Sequence, residues 1–303
     1  MKVANLSSKM ISALAVILIS SNLFIYCKDA NKKKTKSLNK EIVMTQSTSI
    51  PYDIKNPDKT IELINKLREI SSLTFLKDNQ VVCIEDESAD IYIIDFQTEQ
   101  IIEHIVSNKS GDYEGIELVN NNLYILKSSG TLIEFENFKQ PNSKQTTYKT
   151  ALTSSNNTEG LGFDAQTNSL LIACKNEPLL LSENQSVENV RCIYQFDIRT
   201  KTLIEKPFVK IDLDLLKENF GIEQFMPSGI AVHPLTGEFY ILSSVGNNLI
   251  VLNRKNEIVY TEKLSKKLFI QPEGICFSPD GKKLFISNEG KGKNANILIF
   301  NSK

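Results

Sequence analysis

Apolar positions in this chain come in short runs, and the runs recur. From about residue 70 onward they are bounded by Asp, Asn, Gly, Pro or Ser and follow one another at strand spacing, without a sustained 3.6-residue period. A three-residue motif opens each group: an acid or serine, then glycine, then an aliphatic. It reads Ser71-Ser72-Leu73 in degenerate form, then Glu114-Gly115-Ile116, Glu159-Gly160-Leu161, Ser228-Gly229-Ile230 and Glu273-Gly274-Ile275. The middle residues stand 43, 45, 69 and 45 apart, so three of the four intervals agree and the fourth contains an insertion. A period near 44 with several short strands per unit is the signature of propeller blades.

Within each unit the strands align. After the motif strand comes a turn, such as His233 to Glu238 or Ser278 to Lys283, rich in Asp, Asn, Gly and Pro. The second strand starts at Val81, Leu123, Leu170, Phe239 and Leu284, and the third at Ile91, Leu132, Ile193, Leu249 and Ile297. In this alignment Cys83 takes an isoleucine's place and reads as core. A more polar fourth strand follows the first four units, for example Gln100 to Val106, but the chain ends before the fifth unit can make one. The unassigned segment Thr60 to Ile64 can supply it and close the ring, leaving no open sheet edge. The reading is all-β, a five-bladed β-propeller closed by an N-terminal strand. A six-bladed ring would need a blade from the Lys175–Gln224 insertion, which has no motif. Only short stretches, such as Asp214 to Glu218, look helical.

Composition narrows the function. With 35 Lys+Arg against 36 Asp+Glu, the net charge of −1 provides no field for a nucleic-acid partner. Hydrophobic residues at 41% and charged residues at 23% can build a core and exclude wholesale disorder. At the N-terminus, Lys2 and Lys9 precede an uncharged stretch from Met10 to Tyr26 that is too short and too polar for a stable span. Residues 1–26 therefore read as a signal peptide. The stretch ends at Cys27, as in a bacterial lipoprotein signal, although Tyr26 stands where a small residue is usual; an uncleaved anchor is the alternative. Residues 27–50 read as a flexible tether and 51–303 as the propeller. Either reading of the N-terminus places the chain at a membrane, in the cell envelope. Cys83, Cys174, Cys192 and Cys276 could form disulfides in that compartment, with no connectivity readable.

The segments Gly111 to Leu118, Thr158 to Lys175, Pro227 to Gly246 and Gln271 to Gly290, together with Glu69 to Phe75, resemble the SdiA-regulated, or YjiK-like, family of bacterial envelope proteins. The resemblance covers the body from about residue 50. It implies a five-bladed propeller distantly related to NHL repeats and a bound calcium ion, and it implies no established activity. The chain departs from the pattern at Ser72, usually glycine, and at Ser228, where an acid would extend the ring.

A propeller brings equivalent inner-strand positions around one axis. Glu114, Glu159 and Glu273, with Ser71 and Ser228, should converge, and the returning second strands should bring Glu85, Asp86, Lys127, Lys175, Asn288 and Glu289 to the same mouth. Asp112 is a further candidate. Carboxylates so crowded need a cation, and calcium takes six to eight oxygen ligands. The competing expectation is that these glutamates cap strand ends and pair with Lys127 and Lys175. No catalytic set is identified. His104 falls on an outer strand, His233 in a hairpin turn, and no nucleophile elbow, zinc-protease helix or phosphate loop is present. The expected function is a membrane-tethered recognition module that binds calcium and an unidentified small molecule or envelope protein. The alternatives are a calcium-dependent lactonase- or esterase-type hydrolase, which would need a proton-transfer residue, and a purely structural envelope protein.

Overall fold

The computed structural model describes residues 49–107, 109–176, 178 and 189–303. The expected signal peptide, the lipidation site Cys27 and all but the last two residues of the tether lie outside the described residues.

Strand β1 is Lys59–Glu62. Blade 1 comprises β2 (Ile70–Lys77), β3 (Gln80–Glu85), β4 (Ile91–Asp95) and β5 (Gln100–Ile105). Blade 2 comprises β6 (Tyr113–Val119), β7 (Asn122–Lys127), β8 (Leu132–Glu136) and β9 (Lys144–Tyr148). Blade 3 comprises β10 (Thr158–Asp164), β11 (Ser169–Cys174), β12 (Val190–Asp197) and β13 (Thr202–Asp212). Blade 4 comprises β14 (Met226–Val232), β15 (Phe239–Val245), β16 (Asn248–Leu252) and β17 (Ile258–Lys263). Blade 5 comprises β18 (Pro272–Phe277), β19 (Lys283–Asn288) and β20 (Asn296–Asn301), with β1 as its outer strand. Each sheet is four-stranded and antiparallel, so the expected five blades and their closure are present. The closing register pairs Ile61 with Ile297.

The insertion forms no sixth sheet among the described residues. It lengthens β13 and adds helix α1 (Leu213–Phe220). Asp212 caps α1 by accepting from the Leu215 N–H, and Gly221 ends it in the left-handed region at φ 66°. Buried Leu216 ties the helix into the blade 3–blade 4 core.

Five hydrophobic clusters fill the wedges between neighbouring blades. Because side chains alternate across a strand, each second strand feeds two clusters. Val81 and Cys83 pack with blade 5, whereas Val82 and Ile84 pack with blade 2. Likewise Phe239 and Ile241 face blade 3, and Tyr240 and Leu242 face blade 5. Burial on both faces is why these strands read as unbroken apolar runs. The outer strands have one solvated face, so β5 reads polar. All four cysteines of the body are buried, free thiols, so none of the disulfides the sequence permitted is formed.

Candidate functional site

The recurring motif is a β-bulge. In each blade the pairing of the inner strand with its neighbour shifts at the motif: between Ile70 and Ser72, Tyr113 and Gly115, Thr158 and Gly160, Pro227 and Gly229, and Pro272 and Ile275. The residue that drops out of the ladder is Ser71, Glu114, Glu159 or Ser228, and in blade 5 the skipped pair includes Glu273. A bulge re-aims the side chain it frees, so the motif converts a regular strand into a bearer of one polar group. The glycine is required by close approach. A Cβ at Gly229 would lie 2.2 Å from the Glu273 carbonyl oxygen, and one at Gly274 would lie 2.4 Å from Ser287 Oγ.

Backbone hydrogen bonds hold the mouth blade to blade. The Asp86 carbonyl accepts from Tyr113 N–H, and the Ser128 carbonyl accepts from Thr158 N–H. The two serines act in the same way: Ser71 Oγ donates to the Tyr113 carbonyl and Ser228 Oγ to the Pro272 carbonyl, each at 2.7 Å. Both bonds reach the motif strand of the next blade, so their hydroxyl protons serve as inter-blade links.

Carboxylates cannot donate such a bond, and the three glutamates instead act on one another through charge. Glu159 is buried and accepts from Lys175 Nζ and Asn157 Nδ2, each at 2.9 Å. Burial pushes its pKa up against the pull of Lys175. Glu114 is pushed up to about 10 by burial, then by Glu159, a shared hydrogen bond with Asp112, and Glu273. Glu273 is pushed up to about 8 by burial and by Glu159. Burial pulls Lys175 down, but Glu159, with Glu273 and Glu114 behind it, more than offsets this, so the ammonium is held charged.

The other expected mouth residues divide. Lys127 does not join the carboxylates; its ammonium lies over the Tyr113 ring, 4.9 Å from the centroid. The ion pairing expected of Lys127 and Lys175 is thus made by Lys175 alone. Asp112 accepts from Ser128 Oγ. Glu85 accepts from Glu87 N–H at 3.1 Å and from Ser88 Oγ, closing the turn after β3. Asp86 is pushed up to about 7 by burial and by Glu69, Glu85, Glu289 and Glu87, and its Oδ1 is buried without a partner. Asn288 is fully buried, donates Nδ2 to Asn296 Oδ1 at 2.9 Å, and leaves its own Oδ1 unpartnered. Glu289 accepts from Gln271 Nε2, and burial raises its pKa.

As a donor set this mouth suits calcium in kind: hard oxygens, a surplus of negative charge and unsatisfied oxygen atoms. Its spacing is more open than a closed metal cage. Among the described residues no three His, Cys, Asp or Glu side chains stand close enough to share one ion.

Neither histidine is at the mouth. His104 Nε2 lies 2.9 Å from Asp90 Oδ2 on the outer strand β5, and its ring stacks on Tyr92. His233 sits at the opposite end of the channel. Its Nδ1 accepts from the N–H groups of Leu235 and Thr236, so Nε2 carries the proton and donates to Tyr52 Oη, which donates to the Gly281 carbonyl.

Sequence reading missed Glu117. In β6 it stands two residues past the motif glycine, where the other blades carry Thr74, Gly162, Ala231 and Cys276. One long acid among four small residues at an inner-strand position was the available signal.

Five four-stranded sheets around a polar axis define this protein as a five-bladed β-propeller. The SdiA-regulated family profile matches residues 46–291, and the chain belongs to that family. No curated protein matches it significantly. Among solved structures it is similar to a luciferin-regenerating enzyme, at 9% identity over 82% of this chain and 96% of the other, with a TM-score of 0.51. A nidogen/laminin complex chain gives 15% identity over 72% of each chain at 0.47. The Neurospora crassa Pan2 WD40 domain gives 10% identity over 77% of this chain and 63% of the other at 0.40. Likeness at this level of identity is likeness of fold alone.

Proposed function

We propose that this chain is a membrane-tethered envelope recognition module whose channel mouth binds a cationic ligand, calcium being the ion that Glu114, Glu159 and Glu273 would hold by drawing closer than their present spacing. The observation that carries this reading is the charge imbalance. Three axial carboxyl groups, two of them buried, face a single lysine among the described residues, and it is already paired with Glu159. Two remedies are open to such a cluster: keep protons on the carboxyls or take up an external cation. An arriving cation therefore competes with protons, and at Glu159 it competes with Lys175 as well.

The lactonase-type alternative is weaker at this site, because both histidines are engaged elsewhere, which leaves proton transfer there to carboxyls such as Asp86 and Glu273. Lipidation at Cys27 supplies the tether in this reading, since several acyl chains together hold a protein at a bilayer where one does so only marginally. Cys27→Ser should move the protein from the membrane to the soluble fraction; continued membrane attachment would replace the lipid with an uncleaved anchor.

The mouth is tested by thermal unfolding of the full chain with EDTA and with added calcium. A ligand at about a hundredfold excess over its dissociation constant stabilises by about 2.7 kcal/mol. A melting shift with calcium that Glu114→Gln or Glu273→Gln abolishes is expected. No shift at millimolar calcium would leave the carboxyls as strand-end groups.

A further inference from the structure

The five inner strands also enclose a funnel of about 650 Å³ at the other end of the channel. Its wall includes Phe75, Phe163 and Phe277, and its rim carries Leu235, which is 72% exposed. The volume lies in the range of small-molecule pockets.

The ionisable side chains that line it are Glu117, Asp164, His233, Arg254 and Cys276. Four of these are accounted for. Arg254 grips Asp164 with two parallel bonds, Nη1 to Oδ1 and Nη2 to Oδ2, each 3.0 Å. His233 is spent on the turn and Tyr52, and burial lowers its pKa, keeping it neutral. Burial keeps the Cys276 thiol protonated.

Glu117 is different. Its Oε1 accepts from Thr74 Oγ1 of blade 1 at 2.8 Å and from Leu118 N–H at 3.1 Å. Neutral donors of blades 1 and 2 thus fix it in place, and no cation among the described residues reaches it. Glu134, between blades 2 and 3, shows what full compensation looks like. It too collects neutral donors, from Asn122, Tyr124 and Tyr148, but Lys201 Nζ lies 2.7 Å from both of its oxygens. Burial alone would raise the Glu134 pKa; its partners, Lys201 foremost, lower it to about 2. Burial instead leaves Glu117 at about 7.

We propose that this funnel binds a small organic amine, with the ammonium seated on Glu117 and an apolar body against Phe75, Phe163 and Phe277. A bare metal ion is the poorer fit. One carboxylate cannot furnish the six to eight oxygens calcium takes, whereas aromatic faces beside a carboxylate favour an organic cation.

The test is calorimetric titration of the full chain, at a slightly alkaline pH where Glu117 is ionised. The probes are 2-phenylethylammonium and the bulkier tryptamine, against 2-phenylethanol and phenylacetate as neutral and anionic counterparts. The ammonium compounds should bind at least about tenfold more tightly than the alcohol, a difference of about 1.4 kcal/mol, and the acid should not bind. Glu117→Gln should erase that preference and Glu114→Gln should preserve it. Equal binding of amine and alcohol, no binding of either amine at about 10 mM, or a preference lost in Glu114→Gln and kept in Glu117→Gln would each overturn the proposal. The comparison of probes on the unaltered chain decides the matter even if a variant fails to fold.

Discussion

The two ends of the axial channel hold acids under strain for different reasons. At the mouth, bulges deliver Glu114, Glu159 and Glu273 to one place, and the strain is mutual as well as environmental, since each carboxyl is disfavoured by burial and the cluster by its own repulsion. In the funnel Glu117 has no acidic neighbour among the causes of its shift; burial alone raises it, against the hydrogen bonds from Thr74 and Leu118. The lesson is that a raised carboxyl pKa does not by itself specify a ligand. A crowd of acids asks for concentrated positive charge, whereas a solitary acid among phenylalanines asks for one diffuse cation.

The largest effect should come from unbalancing the funnel. Asp164 is 1% exposed and its guanidinium partner is Arg254. Arg254→Ala strands a buried carboxylate and should cost about 3 kcal/mol or more, read from the urea midpoint. A loss below about 1 kcal/mol would mean that the lower end tolerates free charge as the mouth does.

Next is the pH dependence of the mouth. A carboxyl whose folded pKa exceeds its unfolded value binds more protons when folded, so stability falls as pH rises through the window between the two. For Glu273 that window runs from 4.5 to about 8, and for Glu114 from 4.5 to about 10. Without added cation the protein should lose stability across this range. Glu114→Gln should flatten the curve, matching wild type near pH 4 and exceeding it by about 1 kcal/mol or more near pH 9. A wild-type curve that rises with pH would refute the assignment.

Glu117→Gln sharpens the comparison with a smaller effect of the same sign. Its window runs from 4.5 to about 7, so its pH effect should be complete by about pH 8 while that of Glu114 continues. Smallest are the ring links. Ser71→Ala and Ser228→Ala each remove one bond to the next blade and should each cost about 1 kcal/mol. Ser228→Ala should cost the more of the two, because Ser228 Oγ also accepts from Ser244 N–H at 3.1 Å; a smaller loss than for Ser71→Ala would show that this second bond carries no weight.

Blades and the polar mouth were legible in the sequence because each rests on local pattern repeated five times, and closure because one segment, Thr60 to Ile64, was left over for the one missing strand. The bulge itself leaves only its glycine and the polar residue before it, and both recur visibly. Partners that depend on which blades touch were not legible. Arg254 meets Asp164 across 90 positions, and nothing in either segment names the other. Lys127 and Lys175 are similar in sequence context, yet one covers Tyr113 while the other pairs with Glu159. Tyr113 precedes Glu114 directly, and its ring gave Lys127 an alternative that alignment did not weigh. Glu117 escaped because its importance lies in the smallness of its counterparts in the other blades.

The central claim is that protons on the mouth carboxyls hold the place of a cation. The most direct measurement is the number of protons released when calcium binds, obtained by titrating the full chain near pH 8 in two buffers of different ionisation enthalpy. Net proton release that falls in Glu114→Gln is the expected result. Calcium binding without proton release, or no binding at millimolar calcium, would contradict it.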